Sequence, residues 1–266
     1  MVIRDPAFHA IVVIEISSYL NRVEASQYTI FTQKFHSSVS KTIKQFNGTI
    51  FRKDNNHYLI KFLSASDAVM CALEVQFKFK YVTPKHKAFN RRLNIAVSID
   101  KSNLKNDTLS GEGLQLAIRM CENIEDQLVI SAGVHTKFKS ENQQAVIDKE
   151  LIRILNPTEE IIFTQIMDYT ESNWNKSNFN ISSFSKELEY SKPQLYSRIK
   201  NLTGKSPNDF IREFRLHKAL VLLHKQQGSI SRIAYETGFS SPSYFSKCFF
   251  DHYAILPSKY LQQHSY

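Results

Sequence analysis

The chain has 266 residues, 42% of them hydrophobic and 22% charged, with 34 Lys and Arg against 25 Asp and Glu. That length suits two domains, and the composition is that of an ordinary globular protein, which excludes fibrous, disordered and disulfide-stapled classes. The formal charge of +9 suits a polyanion partner, though basic proteins of other kinds share it.

No run of about 18 apolar residues occurs, so neither a membrane span nor a membrane partner is expected. Met1-Val2-Ile3-Arg4-Asp5-Pro6 is not a secretory signal, because an acid and a proline interrupt it. Cys71, Cys121 and Cys248 are odd in number and far apart, with no Cys-x-x-Cys spacing. They suit reduced thiols in a cytoplasmic protein better than bridges or zinc ligands.

In chain order, residues 7–16 form an almost unbroken apolar run, the pattern of a strand buried on both faces. Residues 21–46 carry Tyr28, Phe31, Phe35, Val39, Ile43 and Phe46 at helical spacing, and Asn47-Gly48 stops that helix. Residues 49–52 and 57–62 are β-rich and flank a polar turn at 53–56. A helix follows over 64–80 with Ser64 or Ser66 as its cap. Then come a strand over 93–99, a short helix over 113–124 and a last short strand over 128–131. The order is β-α-β-β-α-β with additions, the ferredoxin-like arrangement. The expected fold class is therefore α+β for residues 1–140. Residues 141–156 are expected to be a linker, and 157–266 an all-α domain. Pro157-Thr158-Glu159-Glu160 opens the first of its helices, with proline and acids where a helix start favours them.

The all-α part contains an internal repeat. Residues 181–188 form a short helix, Glu189-Tyr190 a turn, and Ser191 caps a second helix with Pro193 in its first turn and Leu195, Ile199 and Leu202 inward. The pattern returns over 229–250. Ile230, Ile233 and Ala234 face inward, Gly238 allows the turn, and Ser240 or Ser241 caps a helix containing Pro242, with Phe245, Phe249 and Cys248 buried. A short helix, a tight turn and a second helix with a polar outer face fit the DNA major groove. Between the copies, residues 207–226 form an amphipathic helix of about 30 Å at 1.5 Å per residue, against a major-groove repeat of about 34 Å. From Trp174 onward there are 13 Lys and Arg against 6 Asp and Glu, so most of the excess positive charge lies here.

Two resemblances follow from these residues. Leu195-Tyr196-Ser197-Arg198-Ile199-Lys200-Asn201-Leu202-Thr203-Gly204-Lys205-Ser206-Pro207, with Phe210-Ile211-Arg212 and Arg215-Leu216, resembles the DNA-binding domain of the AraC/XylS family. So does Ile230…Ile233-Ala234…Gly238-Phe239-Ser240-Ser241…Tyr244-Phe245-Ser246-Lys247…Phe249 with Pro257-Ser258-Lys259-Tyr260. The resemblance implies a transcription regulator that binds double-stranded DNA through both helix-turn-helix units. By position it implies DNA contacts from Pro193, Tyr196, Ser197 and Lys200, and from Pro242, Ser243, Ser246 and Lys247. Relatives usually carry Arg at the position of Ser197, Lys at that of Phe250 and often Gly at that of Ala254. Loss of the Arg removes a bidentate bond to guanine.

The first 140 residues resemble the class III nucleotide cyclase homology domain through Val12-Val13-Ile14-Glu15-Ile16-Ser17-Ser18-Tyr19, Gly48-Thr49-Ile50-Phe51-Arg52-Lys53-Asp54-Asn55-Asn56-His57 and Gly111…Leu114-Gln115…Ala117…Arg119. That family needs two aspartates to hold two metal ions on a triphosphate. This chain has Glu15 at the first position and Asn56 at the second. The expectation is an inactive, non-enzymatic domain without a cofactor that dimerises or senses a small-molecule or nucleotide effector, with Arg52 and Arg119 as candidate ligand contacts. The rival is a residual nucleotide cyclase joined to a DNA-binding domain. His57 and His135 lack ligand spacing, so no metal is expected. Lys85, His86, Lys87, Arg91 and Arg92 form a basic cluster expected in a solvated loop.

Overall fold

A computed structural model of the chain describes residues 8–17, 25–54, 56–82, 92–100, 111–124 and 128–264. The chain divides into two compact units, the boundary falling inside one helix between Ile161 and Ile162.

The amino-terminal unit runs β1 (His9–Ser17), α1 (Ala25–Gln45), β2 (Thr49–Lys53), β3 (His57–Phe62), α2 (Ala65–Val82), β4 (Arg92–Asp100), α3 (Glu112–Asn123), β5 (Leu128–Ile130), α4 (Ala132–Glu141) and β6 (Ile152–Ile154). One mixed sheet has the order β2-β3-β1-β4-β5-β6. The first three pairings are antiparallel, whereas β4-β5 and β5-β6 are parallel. β1 is buried on both faces, as its apolar run requires. Ala10, Val12 and Ile14 pack with Phe35, Val39 and Ile43 of α1 and Val69, Ala72 and Val75 of α2. Because side chains alternate along a strand, Ile11, Val13 and Glu15 face the other side, where α3 packs on β1 and β4.

Local chemistry sets the element ends. α1 stops at Asn47, which takes the left-handed conformation at φ 58°. In the β2–β3 turn, the Asp54 carboxylate accepts N–H bonds from Asn56 (3.0 Å) and His57 (2.8 Å). Ser64, not Ser66, caps α2 by accepting the Asp67 N–H at 3.1 Å. Glu141 at the end of α4 completes that cap, accepting the N–H groups of Ala65 (3.1 Å) and Ser66 (2.8 Å) and the Ser64 hydroxyl (2.7 Å). Burial opposes the Glu141 charge, but the bonds from Ser66, Ser64 and Ala65 hold its carboxyl below the ordinary value. The three cysteines are free and buried. Burial pushes the Cys71 thiol up to about 12 and that of Cys121 well above its usual value, so neither is a ready nucleophile.

The sequence pattern missed two elements. α4 follows β5 at once. β6, inside the stretch expected as a linker, is paired in the sheet, so residues 128–131 are not the last strand. Three residues are too few for an alternation to register.

The carboxyl-terminal unit takes up α5 (Pro157–Asn173) from Ile162 and adds α6 (Ile181–Glu187), α7 (Lys192–Thr203), α8 (Pro207–His224), α9 (Ile230–Glu236), α10 (Pro242–Tyr253) and α11 (Pro257–His264). α5 begins with a reciprocal cap. The Asn156 N–H donates to Glu159, and the Glu159 N–H donates back to Asn156, each at 2.9 Å. Phe163, Ile166, Phe184, Leu195, Ile199, Phe210 and Phe214 are buried around α6 and α7, with Phe179 packed on Phe184 and Tyr169. A second core joins Leu216, Ala219 and Leu223 of α8 to Ile233, Ala234, Phe245 and Phe249. Among the described residues no helix is long and apolar enough to cross a membrane.

Candidate nucleic-acid interface

α6 and α7 form the first helix-turn-helix. Asn180 caps α6 with a capping box shared with Ser183. The turn passes through Glu189 at φ 56°, and the Ser185 hydroxyl fixes it by donating to the Tyr190 carbonyl at 2.6 Å. Ser191 caps α7, again with a capping box, here with Gln194. Leu195, Ile199 and Leu202 point into the core. Pro193, Tyr196, Ser197 and Lys200 are therefore left on the outer face, all exposed. The Lys200 ammonium lies 6.0 Å from the Tyr196 ring centre, an i,i+4 pair that places charge and aromatic surface side by side.

α9 and α10 repeat the design. Ser229 caps α9 and Ser241 caps α10, which settles the choice between Ser240 and Ser241. Phe245, Cys248 and Phe249 are buried. Ser243 and Lys247 are exposed, while Pro242 and Ser246 are half-buried. Aligned on the capping serines, Ser197 corresponds to Lys247 and Lys200 to the exposed Phe250. α7 thus carries two exposed lysines, Lys192 and Lys200, and α10 one, Lys247, at a different place.

α8 joins the two. Its 18 residues span about 27 Å at 1.5 Å per residue, two residues shorter than the sequence pattern gave. Its Arg215 braces both halves. The guanidinium donates to the Trp174 and Lys176 carbonyls (2.7 and 2.8 Å) in the segment leading to α6. On its other side sits Gly238 of the second turn, where a methyl group would stand 2.9–3.0 Å from the guanidinium. The sequence carried no signal for this brace, because its partners lie about 40 and 23 positions away.

In the amino-terminal unit, Glu15 pairs across the strands with His57, and its carboxylate lies 3.4 Å from His57 Nε2. Burial disfavours the imidazolium, but Glu15, with Asp54 and Glu122, outweighs it and raises the His57 pKa. Arg52 is opposite Leu59, which is opposite Val13, so Arg52 shares the α3 side of the sheet, exposed on its edge strand. Arg119 is buried on α3. The two arginines are thus on one side of the sheet in opposite settings. Lys85, His86, Lys87 and Arg91 lie outside the described residues, as does the side chain of Arg92.

Residues 184–263 match the family model of a helix-turn-helix domain. The chain is 33% identical over 137 residues to "Histidine kinase P4" of Formosa agariphila, covering 52% of this chain and 10% of that protein. It is 30% identical over 102 residues to the HTH-type transcriptional regulator MtrA of Neisseria gonorrhoeae, covering 38% of this chain and 32% of the regulator. The chain therefore spans a tenth to a third of these relatives' length. A solved adenylate cyclase from Trypanosoma brucei overlaps 54% of this chain and 83% of its own at a TM-score of 0.44 and 14% identity, too slight a likeness to fix the fold family of the amino-terminal unit. The carboxyl-terminal region is thus a helix-turn-helix domain. Its two units correspond to α6–α7 and α9–α10.

Proposed function

We propose that the chain is an AraC-type regulator of transcription that binds duplex DNA sequence-specifically through both helix-turn-helix units, in the cytoplasm. The observation that carries this is the pair of capped helices α7 and α10, whose helix-turn-helix units are joined by the single helix α8. Pro193, Tyr196, Ser197 and Lys200 on the first helix, and Pro242, Ser243, Ser246 and Lys247 on the second, are the DNA-facing side chains. The prolines offer apolar contact, for instance to a thymine methyl, and the serines serve bases or phosphates. The test is selection of preferred sites from random duplexes by the full chain, then titration across salt. Affinity for the selected site should fall steeply as salt rises, and Lys247→Ala should cost about 1–3 kcal/mol there. Binding with no preference over random DNA would overturn the reading.

The amino-terminal unit is ferredoxin-like and related to the class III cyclase homology domain in this proposal. The β2-β3-β1-β4 strand order with antiparallel pairing supports it. The unit serves dimerisation or ligand sensing, not turnover. Glu15 is engaged with His57, and the neutral amide of Asn56 cannot replace a carboxylate at the second metal position. Incubation of the full chain with ATP or GTP and manganese should give no cyclic nucleotide. Product formation abolished by Glu15→Ala would overturn this. Light scattering should report a dimer.

A further inference from the structure

A half-open cleft of about 500 Å³ lies in the amino-terminal unit beside β6 and the starts of α4 and α5. That size is within the range of small-molecule sites, about 300–1,000 Å³. Its position also suits a site. β4, β5 and β6 run parallel, and open sheets of this kind take ligands beyond the carboxyl ends of such strands, where the following helices begin. β5 passes into α4 through Ser131, and β6 into α5 through Leu155 and Asn156.

The helix starts are already satisfied. The Ala132 N–H at the start of α4 donates to the Glu160 carboxylate, and Asn156 caps α5. The cleft's chemistry therefore comes from side chains. Ile152 and Leu155 are buried and give it an apolar floor, while His135, Lys149 and Arg153 line it with base. No acid among the described residues lines it, and the Glu159 carboxylate, outside the lining, acts on Arg153. Gathering bases in one cleft costs free energy. The His135 pKa is lowered, first by burial and then by Lys139 and the cleft's Lys149.

We propose that this cleft binds a small organic dianion, a phosphomonoester with an apolar body. Arg153 supplies the planar fork that matches phosphate, Lys149 a mobile point charge, and Ile152 and Leu155 the surface for the body. The site is separate from the Glu15 and Asn56 region. Strand register sets Glu15 opposite Asn94 near the start of β4, whereas the cleft opens past the far ends of β5 and β6. It depends on neither the DNA-binding nor the cyclase-like reading.

Calorimetric titration of the full chain at fixed ionic strength, with phenyl phosphate as the probe, tests it. Phenyl phosphate should bind at least about tenfold tighter than inorganic phosphate or phenol. Lys149→Gln and Arg153→Gln should each weaken it about tenfold or more, with circular dichroism unchanged for Lys149→Gln, whose parent side chain is exposed. Lys200→Gln and Lys247→Gln, on the DNA-facing helices, should leave it unchanged. Absence of binding, or binding lost in the DNA-side variants and kept in the cleft variants, would overturn the site. Equal affinity for inorganic phosphate would overturn the organic body. Site-selective DNA binding, measured separately, can stand or fall without altering any of these outcomes.

Discussion

The two helix-turn-helix units solve the same backbone problem with glycine in opposite places. Each contains two left-handed residues, one in its turn and one after its recognition helix. In the first unit the turn holds Glu189 at φ 56° and the helix end holds Gly204 at φ 78°; in the second the turn holds Gly238 at φ 78° and the helix end holds Ala254 at φ 55°. Conformation alone favours glycine at all four. Space separates them. Nothing lies within 4 Å of where a methyl group on Gly204 would sit, whereas at Gly238 the Arg215 guanidinium occupies that place. Only Gly238 is demanded by packing, and it is demanded because Arg215 is held by carbonyls from the other half of the domain. The second turn is also one residue longer between its helix and its capping serine, which is the room Phe239 uses to enter the core.

The largest effect should come from Gly238→Ala. Left-handed strain and the clash with Arg215 together should cost about 2–3 kcal/mol in urea unfolding. In an Arg215→Ala background the same substitution should cost only about 1 kcal/mol, since strain remains and the clash does not. Equal costs in both backgrounds would break the distinction. Gly204→Ala comes next, at about 1 kcal/mol, all of it conformational. Ala254→Gly should move stability the other way, by about 0.5 kcal/mol, relief of strain being partly offset by a looser unfolded chain. A loss there would mean that the Ala254 methyl group packs more than its exposure implies. The smallest effect is a control in the other unit. The His57 pKa is raised in the folded chain, so its contribution is complete below about pH 6.5 and fades as pH rises through the raised value. With the His57 side chain 40% exposed, the change should be a few tenths of a kcal/mol, roughly. It should vanish in His57→Gln and leave DNA binding unaltered.

Much of this was legible in the sequence because it is local. Capping serines, prolines in first turns, the glycine of the second turn and the inward apolar positions of α7 and α10 all declare themselves within a few residues. The polar hairpin at Asp54 and the stop at Asn47 are of the same kind. What could not be read depends on distant partners. Glu141 capping α2, Glu160 capping α4 and Arg215 bracing Gly238 join positions tens of residues apart. β6 is too short to show a period, and its strand character comes from pairing with β5. The cleft beside it was invisible for that reason, since His135, Lys149 and Arg153 converge only once β6 is in the sheet.

α8 fixes more than a distance. Its residues advance by about 100° each around the axis, so its length also sets the phase between the two recognition helices. One residue inserted into an exposed stretch of α8 would lengthen it by only about 1.5 Å yet swing the second helix a quarter-turn or more away from the groove faced by the first. Four inserted residues would nearly restore the phase, about 40° beyond a full turn, at the expense of about 6 Å. The domain should therefore tolerate changes of α8 composition far better than changes of its count, and a preferred DNA site should record that count as a fixed spacing between its two halves.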